Sequence, residues 1–68
     1  MIEFKLEGEF IPLIQLLKAV NLVENGGHAQ EVVAEGLVTY NGQVDYRKRL
    51  KVKRGDQVTY NNQTIIIR

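Results

Sequence analysis

The 68 residues contain no cysteine, no serine and no tryptophan, only one histidine and one proline. Without cysteine there is no disulfide framework, no thiolate metal site and no thiol nucleophile. Without serine the commonest hydroxyl nucleophile is missing too. His28 alone lacks the partner and orienting group that a catalytic base requires. It also falls short of the three or four ligands a zinc site needs. An enzyme is therefore not expected, and neither is a cofactor or a metal. Apolar runs such as Leu16-Leu17 and Ile65-Ile66-Ile67 are far too short to span a bilayer. The N-terminus alternates polar and apolar residues instead of forming a leader peptide. The expectation is a cytoplasmic protein with no membrane partner.

Net charge is only +1, but its distribution is uneven. Residues 1 to 46 carry Lys5 and Lys18 against seven acids, a net of −5. Residues 47 to 54 carry Arg47, Lys48, Arg49, Lys51, Lys53 and Arg54 with no acid, a net of +6. Concentrated cations suit a phosphate backbone, since each contact releases condensed counterions. Arginine adds a planar fork that holds phosphate through two hydrogen bonds. The bland alternative is a solvated basic face that blocks edge pairing of a sheet.

Residues 2 to 7 alternate Ile2, Phe4, Leu6 with Glu3, Lys5, Glu7, the pattern of a half-buried strand ended by Gly8. Pro12 suits the first turn of a helix carrying Leu13, Ile14, Leu16, Leu17 and Val20 at helical spacing. A second short helix spans about Gly27 to Glu35, capped by Asn25 or a glycine and ended by Gly36. Beyond it the chain reads as short strands. Asn41-Gly42 and Asn61-Asn62 mark hairpin turns, and Arg54-Gly55-Asp56 marks another turn. Arg47-Lys48-Arg49 fits a loop where the side chains fan out, while Lys51 and Lys53 share a face opposite Val52. The order gives an α+β domain spanning residues 1 to 68, with one core.

These pieces resemble the S4 RNA-binding domain, in particular its stand-alone bacterial subgroup. The resemblance covers roughly residues 12 to 60. It rests on the two helices, on the run Ala34-Glu35-Gly36-Leu37-Val38-Thr39-Tyr40-Asn41-Gly42-Gln43-Val44, and on Val52-Lys53-Arg54-Gly55-Asp56-Gln57-Val58. Gly26-Gly27-His28-Ala29 looks like the subgroup's Gly-Gly-x-Ala opening of helix two, and Arg47-Lys48-Arg49 falls where that subgroup carries arginines. The chain departs from the family at Glu9-Phe10-Ile11-Pro12, where an arginine is frequent, and at Gln30, where a base is frequent. The resemblance implies an S4-like (alpha-L) fold: an N-terminal strand and two short helices packed on a small, mostly antiparallel sheet. It implies structured RNA as the partner, ribosomal RNA or a ribosomal particle among the candidates.

The candidate RNA-binding residues are Lys18, Gly26, Gly27, His28, Tyr46, Arg47, Lys48, Arg49, Lys51, Lys53 and Arg54. Gly26 and Gly27 leave backbone amides open at a helix start, which attracts anions; a tight interhelical turn explains them equally well. His28 is expected to face solvent in the first turn of helix two. Tyr46 suits stacking on an unpaired base or packing. Lys18 extends a positive face or simply complements a helix C-terminus. DNA is a poorer fit, since helix two displays Gln30, Glu31 and Glu35 and offers no basic face to a major groove. The competing function is a protein-interaction adaptor. A sulfur-carrier version fails because the chain ends Ile65-Ile66-Ile67-Arg68 and not Gly-Gly.

Overall fold

A computed structural model describes every residue from Met1 to Arg68. The elements run β1 (Ile2–Phe4), β2 (Ile11–Pro12), α1 (Leu13–Ala19), α2 (Gly26–Ala34), β3 (Val38–Tyr40), β4 (Gln43–Val44), β5 (Lys51–Val52), β6 (Gln57–Tyr60) and β7 (Gln63–Ile67). Five strands form one sheet in the order β1-β7-β6-β3-β4, and β2 pairs with β5 in a separate ribbon. All pairings are antiparallel except β1 with β7. This is the expected class: two short helices on a small, mostly antiparallel sheet.

Local chemistry explains most boundaries. Asn25 is the N-cap of α2, and its side-chain oxygen accepts from the His28 N–H at 2.8 Å. Glu35 caps the other end, and Gly36 follows with φ +75°, the left-handed residue that terminates the helix. Asn41 and Gly42 (φ 50° and 89°) turn β3 into β4, and Asn61 and Asn62 (φ 53° and 63°) turn β6 into β7. Two consecutive positive φ values match the right-handed twist of a hairpin.

The N-terminal alternation is present in burial, with Leu6 inside and Glu3, Lys5 and Glu7 outside, although paired strand is confined to Ile2–Phe4. Pro12 differs from its sequence reading. It precedes the helix as N-cap with φ −60° and ψ 140°, an extended conformation that lets it lie opposite Lys51. The β2–β5 ribbon was not expected; it joins Ile11 to Val52 across the chain.

The core is a cluster of fifteen apolar residues with no buried polar or charged side chain. Leu13, Leu16 and Leu17 of α1 meet Ala29, Val32 and Val33 of α2 above Val38, Val58, Ile65 and Ile67 of the sheet. Each fully buried leucine contributes about 2 to 3 kcal/mol of transfer free energy. Packing of this kind is what sustains helices of seven and nine residues. No helix is long and apolar enough to cross a membrane.

Candidate nucleic-acid interface

Residues 45 to 50 connect β4 to β5 without regular structure, as the run of adjacent bases suggested. The loop is held at both ends. The Asp45 N–H donates to the Val38 carbonyl at 3.3 Å. At the far end Leu50 is 7% exposed and sits in the core. Its carbonyl accepts from the Leu13 N–H at 2.8 Å. That bond satisfies one of the donors left open at the start of α1. Arg47, Lys48 and Arg49 therefore project from a tethered loop.

Two open grooves flank it. One, lined by Tyr40, Arg47, Arg49, Leu50, Lys51 and Lys53, lies on the strand side. The other is lined by Pro12, Ile14, Gln30, Lys48 and Arg49, and so joins the loop to both helices. Arg49 belongs to both. Neither groove has an acidic side chain in its lining.

The six cations are not equivalent. Arg47 is bound to Asp45, with Nη2 donating to Oδ2 at 2.7 Å and Nε to Oδ1 at 3.0 Å. This pairing lowers the Asp45 pKa from its ordinary value and raises that of Arg47. Lys51 holds its ammonium 5.0 Å from the centre of the Phe10 ring, a cation–π contact. Arg54 donates to the Gly8 and Leu6 carbonyls, each at 2.7 Å, and lines neither groove. Lys48, Arg49 and Lys53 are exposed and carry no ion pair.

The wall at Tyr40 is built by Asp56. Its carboxylate accepts from the Tyr40 hydroxyl at 2.6 Å, the Lys53 N–H at 2.8 Å and the Asn41 amide at 3.2 Å. Burial acts to raise the Asp56 pKa, but these hydrogen bonds and the nearby Lys53 charge together bring it below the usual value. The same bond to Asp56, then burial, pushes the Tyr40 phenol up.

Lys18, Gly26, Gly27, His28 and Tyr46 line neither groove. Lys18 is exposed one turn beyond Ile14, and Gly26 and Gly27 lie one turn before Gln30. Both pairs of spacings place them on the helix faces that lead out of the second groove. His28 stands half-buried in the first turn of α2, where its Nδ1 accepts from the Glu24 N–H at 3.3 Å in an exposed hydrogen bond. Tyr46 is 63% exposed, with its ring laid against Gly36.

Sequence reasoning missed Tyr40, Ile14 and Leu50 as groove residues, and Asp45 and Asp56 as their supports; Pro12 and Gln30 entered it as departures from the family pattern. Only the Asp45-x-Arg47 spacing carried a local signal, that of an aspartate accepting from the N–H two residues on.

Comparison with known proteins adds three findings. The S4 domain family matches residues 4–68. YbcJ of Escherichia coli strain K12 and YbcJ of Shigella flexneri are each 38% identical over 50 residues, 74% of this chain and 71% of theirs. The solution structure of Escherichia coli YbcJ, described as revealing an alpha-L motif involved in RNA binding, superposes with a TM-score of 0.75 at 32% identity. That match covers 98% of this chain and 86% of YbcJ. The 30S ribosomal protein S4e of Thermoplasma acidophilum shares the fold at a TM-score of 0.69 and 20% identity, over 85% of this chain but only 31% of its own.

Proposed function

Since the chain belongs to the S4 domain family, we propose that residues 1 to 68 act as one non-catalytic domain that binds structured RNA. Ribosomal RNA is the target we favour, and the cytoplasm the place of action. The observation that carries this reading is the pair of grooves meeting at Arg49, lined by five cations and no acid. Such a surface recognises backbone and shape, with little reading of base edges. Lys18 and the open amides of Gly26 and Gly27 supply a further phosphate contact at the rim.

A salt series on folded ribosomal RNA fragments tests this. Lys48, Arg49, Lys51 and Lys53 are the groove cations without a carboxylate partner. At roughly 0.7 to 0.9 counterions released per contact, log affinity falls against log salt with a slope of about −3 to −4. Changing Arg47, Lys48 and Arg49 together to alanine flattens the slope by about 2, because Arg47 is already neutralised by Asp45. Duplex DNA binds more weakly than RNA. Equal binding by mutant and wild type, or none at low salt, would sink the proposal. An adaptor role then takes its place, supported by the exposed apolar side chains of Leu37 and Val44, the latter paired across the sheet with Thr39.

A further inference from the structure

A carboxylate beside a phosphate-binding surface is usually a defect, since it repels the ligand. Asp45 adjoins the strand-side groove, yet its side chain is only 14% exposed against 68% for Arg47. It is anchored at the end of β4, where its N–H donates to the Val38 carbonyl. One oxygen, Oδ1, takes both the Arg47 backbone N–H at 2.9 Å and Nε at 3.0 Å. The other takes Nη2 at 2.7 Å and Nε at 3.2 Å.

A guanidinium has five N–H donors in a fixed plane. Asp45 occupies the edge formed by Nε and one N–H of Nη2. Both N–H groups of Nη1 and the outer one of Nη2 stay free, and together they form the end-on fork that grips a phosphate with two parallel bonds. Arg47 lines the strand-side groove, and Asp45, which holds its side-on edge, does not.

The geometry points to Asp45 as a positioning residue for RNA, which fixes Arg47 in the orientation that presents its outer fork to a phosphate in the strand-side groove. This rests on the RNA-binding reading above. A long arginine side chain on a loop loses rotamer freedom when it docks; here the freedom is already spent in the free protein, so docking costs less. Lys48, next along the same loop, has no such partner and contributes charge without orientation.

The idea makes a prediction of sign. Asp45→Asn raises the net charge by one, so electrostatics alone gives tighter RNA binding, by about twofold for a charge several ångströms from a phosphate in water. Loss of positioning gives the opposite, about fivefold weaker binding at an ionic strength of roughly 0.15 M. The experiment measures binding of a fluorescein-labelled stem-loop RNA by wild type, Asp45→Asn, Arg47→Ala and the double variant, with thermal melts of each. Weaker binding by Asp45→Asn, and no such loss when Arg47 is already alanine, establishes the role. Unchanged or tighter binding by Asp45→Asn overturns it. An equal loss in both backgrounds also overturns it, because Asp45 then acts on the loop and not through Arg47. If wild type fails to bind RNA while remaining folded, the RNA-binding reading itself falls, and this inference with it.

Discussion

Removing the hydroxyl of Tyr40 or the charge of Asp56 tests whether their contact holds the strand-side wall of the groove. The Tyr40 hydroxyl donates to Asp56 at 2.6 Å in a half-buried setting, and the same carboxylate accepts from Lys53 and Asn41. A hydrogen bond to a charged group contributes about 1.5 to 3 kcal/mol, reduced here by solvent access. Tyr40→Phe keeps the ring and removes the donor, so it costs about 1 to 1.5 kcal/mol. At about 4 to 8 °C per kcal/mol for a domain of this size, the melting temperature falls by about 4 to 12 °C. Asp56→Asn retains an acceptor but loses charge, and costs a similar amount.

Because both changes strike one contact, the double variant is less destabilised than the sum, with a coupling of about 1 kcal/mol. Urea unfolding at neutral pH measures all four proteins. Acid supplies a second axis. The Asp56 pKa is lower in the folded protein than the ordinary value of 3.8, so its contribution is present above that value and disappears as pH falls through the folded one. Wild type therefore loses more stability than Asp56→Asn as the pH is taken from neutral to well below the ordinary carboxylate value of 3.8. Tyr40 shifts the other way, so its contribution holds below pH 10 and is lost as the pH rises through its elevated value. Additive effects of the two substitutions, or an acid profile unaltered by Asp56→Asn, would refute the reasoning.

Two further substitutions follow from the geometry. Gly36→Ala places a methyl group 3.0 Å from the Tyr46 hydroxyl on a residue with φ +75°, and destabilises by about 1 to 3 kcal/mol in thermal or urea unfolding. Tyr46→Ala in that background recovers the steric part of the loss but not the strain. Arg54→Ala removes two bonds to the Leu6 and Gly8 carbonyls and costs about 1 to 2 kcal/mol of stability. It leaves the salt slope of RNA binding unchanged, whereas Arg49→Ala flattens that slope by about 1 without comparable loss of stability.

The parts legible in the sequence are those written in neighbouring residues. Alternation around Phe4, helical spacing from Leu13 to Val33, the Asn25 cap, the stop at Gly36 and the two asparagine turns each depend on chemistry within four residues. What stayed hidden depends on residues brought together from afar. Arg54 looked like one more member of a basic run, yet its partners, Leu6 and Gly8, lie more than forty positions away. Pro12 looked like a first helical residue because nothing nearby reveals that Lys51 will lie opposite it. Tyr40 read as an ordinary sheet residue, since the Leu50, Lys51 and Lys53 that share its groove lie ten or more positions on, and its hydroxyl's partner Asp56 sixteen. The linear run shows six cations close in sequence; only the fold shows that Arg47 and Arg54 are hydrogen-bonded within the chain while Lys48, Arg49 and Lys53 carry no ion pair.

The pairing of β1 with β7 has a consequence for synthesis. β7 lies between β1 and β6 in the large sheet, so a strand that follows the other six in chain order is the one that two of them need. Until residues 63 to 67 leave the ribosome, Ile2, Phe4 and Leu6 have no sheet to join, and Ile65 and Ile67 are missing from the core. The β3–β4 hairpin closes over a few residues, but the short helices need the core to persist and the sheet closes only across nearly the whole chain. A nascent chain stalled before β7 therefore exposes apolar surface and an open strand edge, the features that recruit chaperones and proteases. Addition of β7 is thus the step at which this domain passes from a degradable intermediate to a closed sheet.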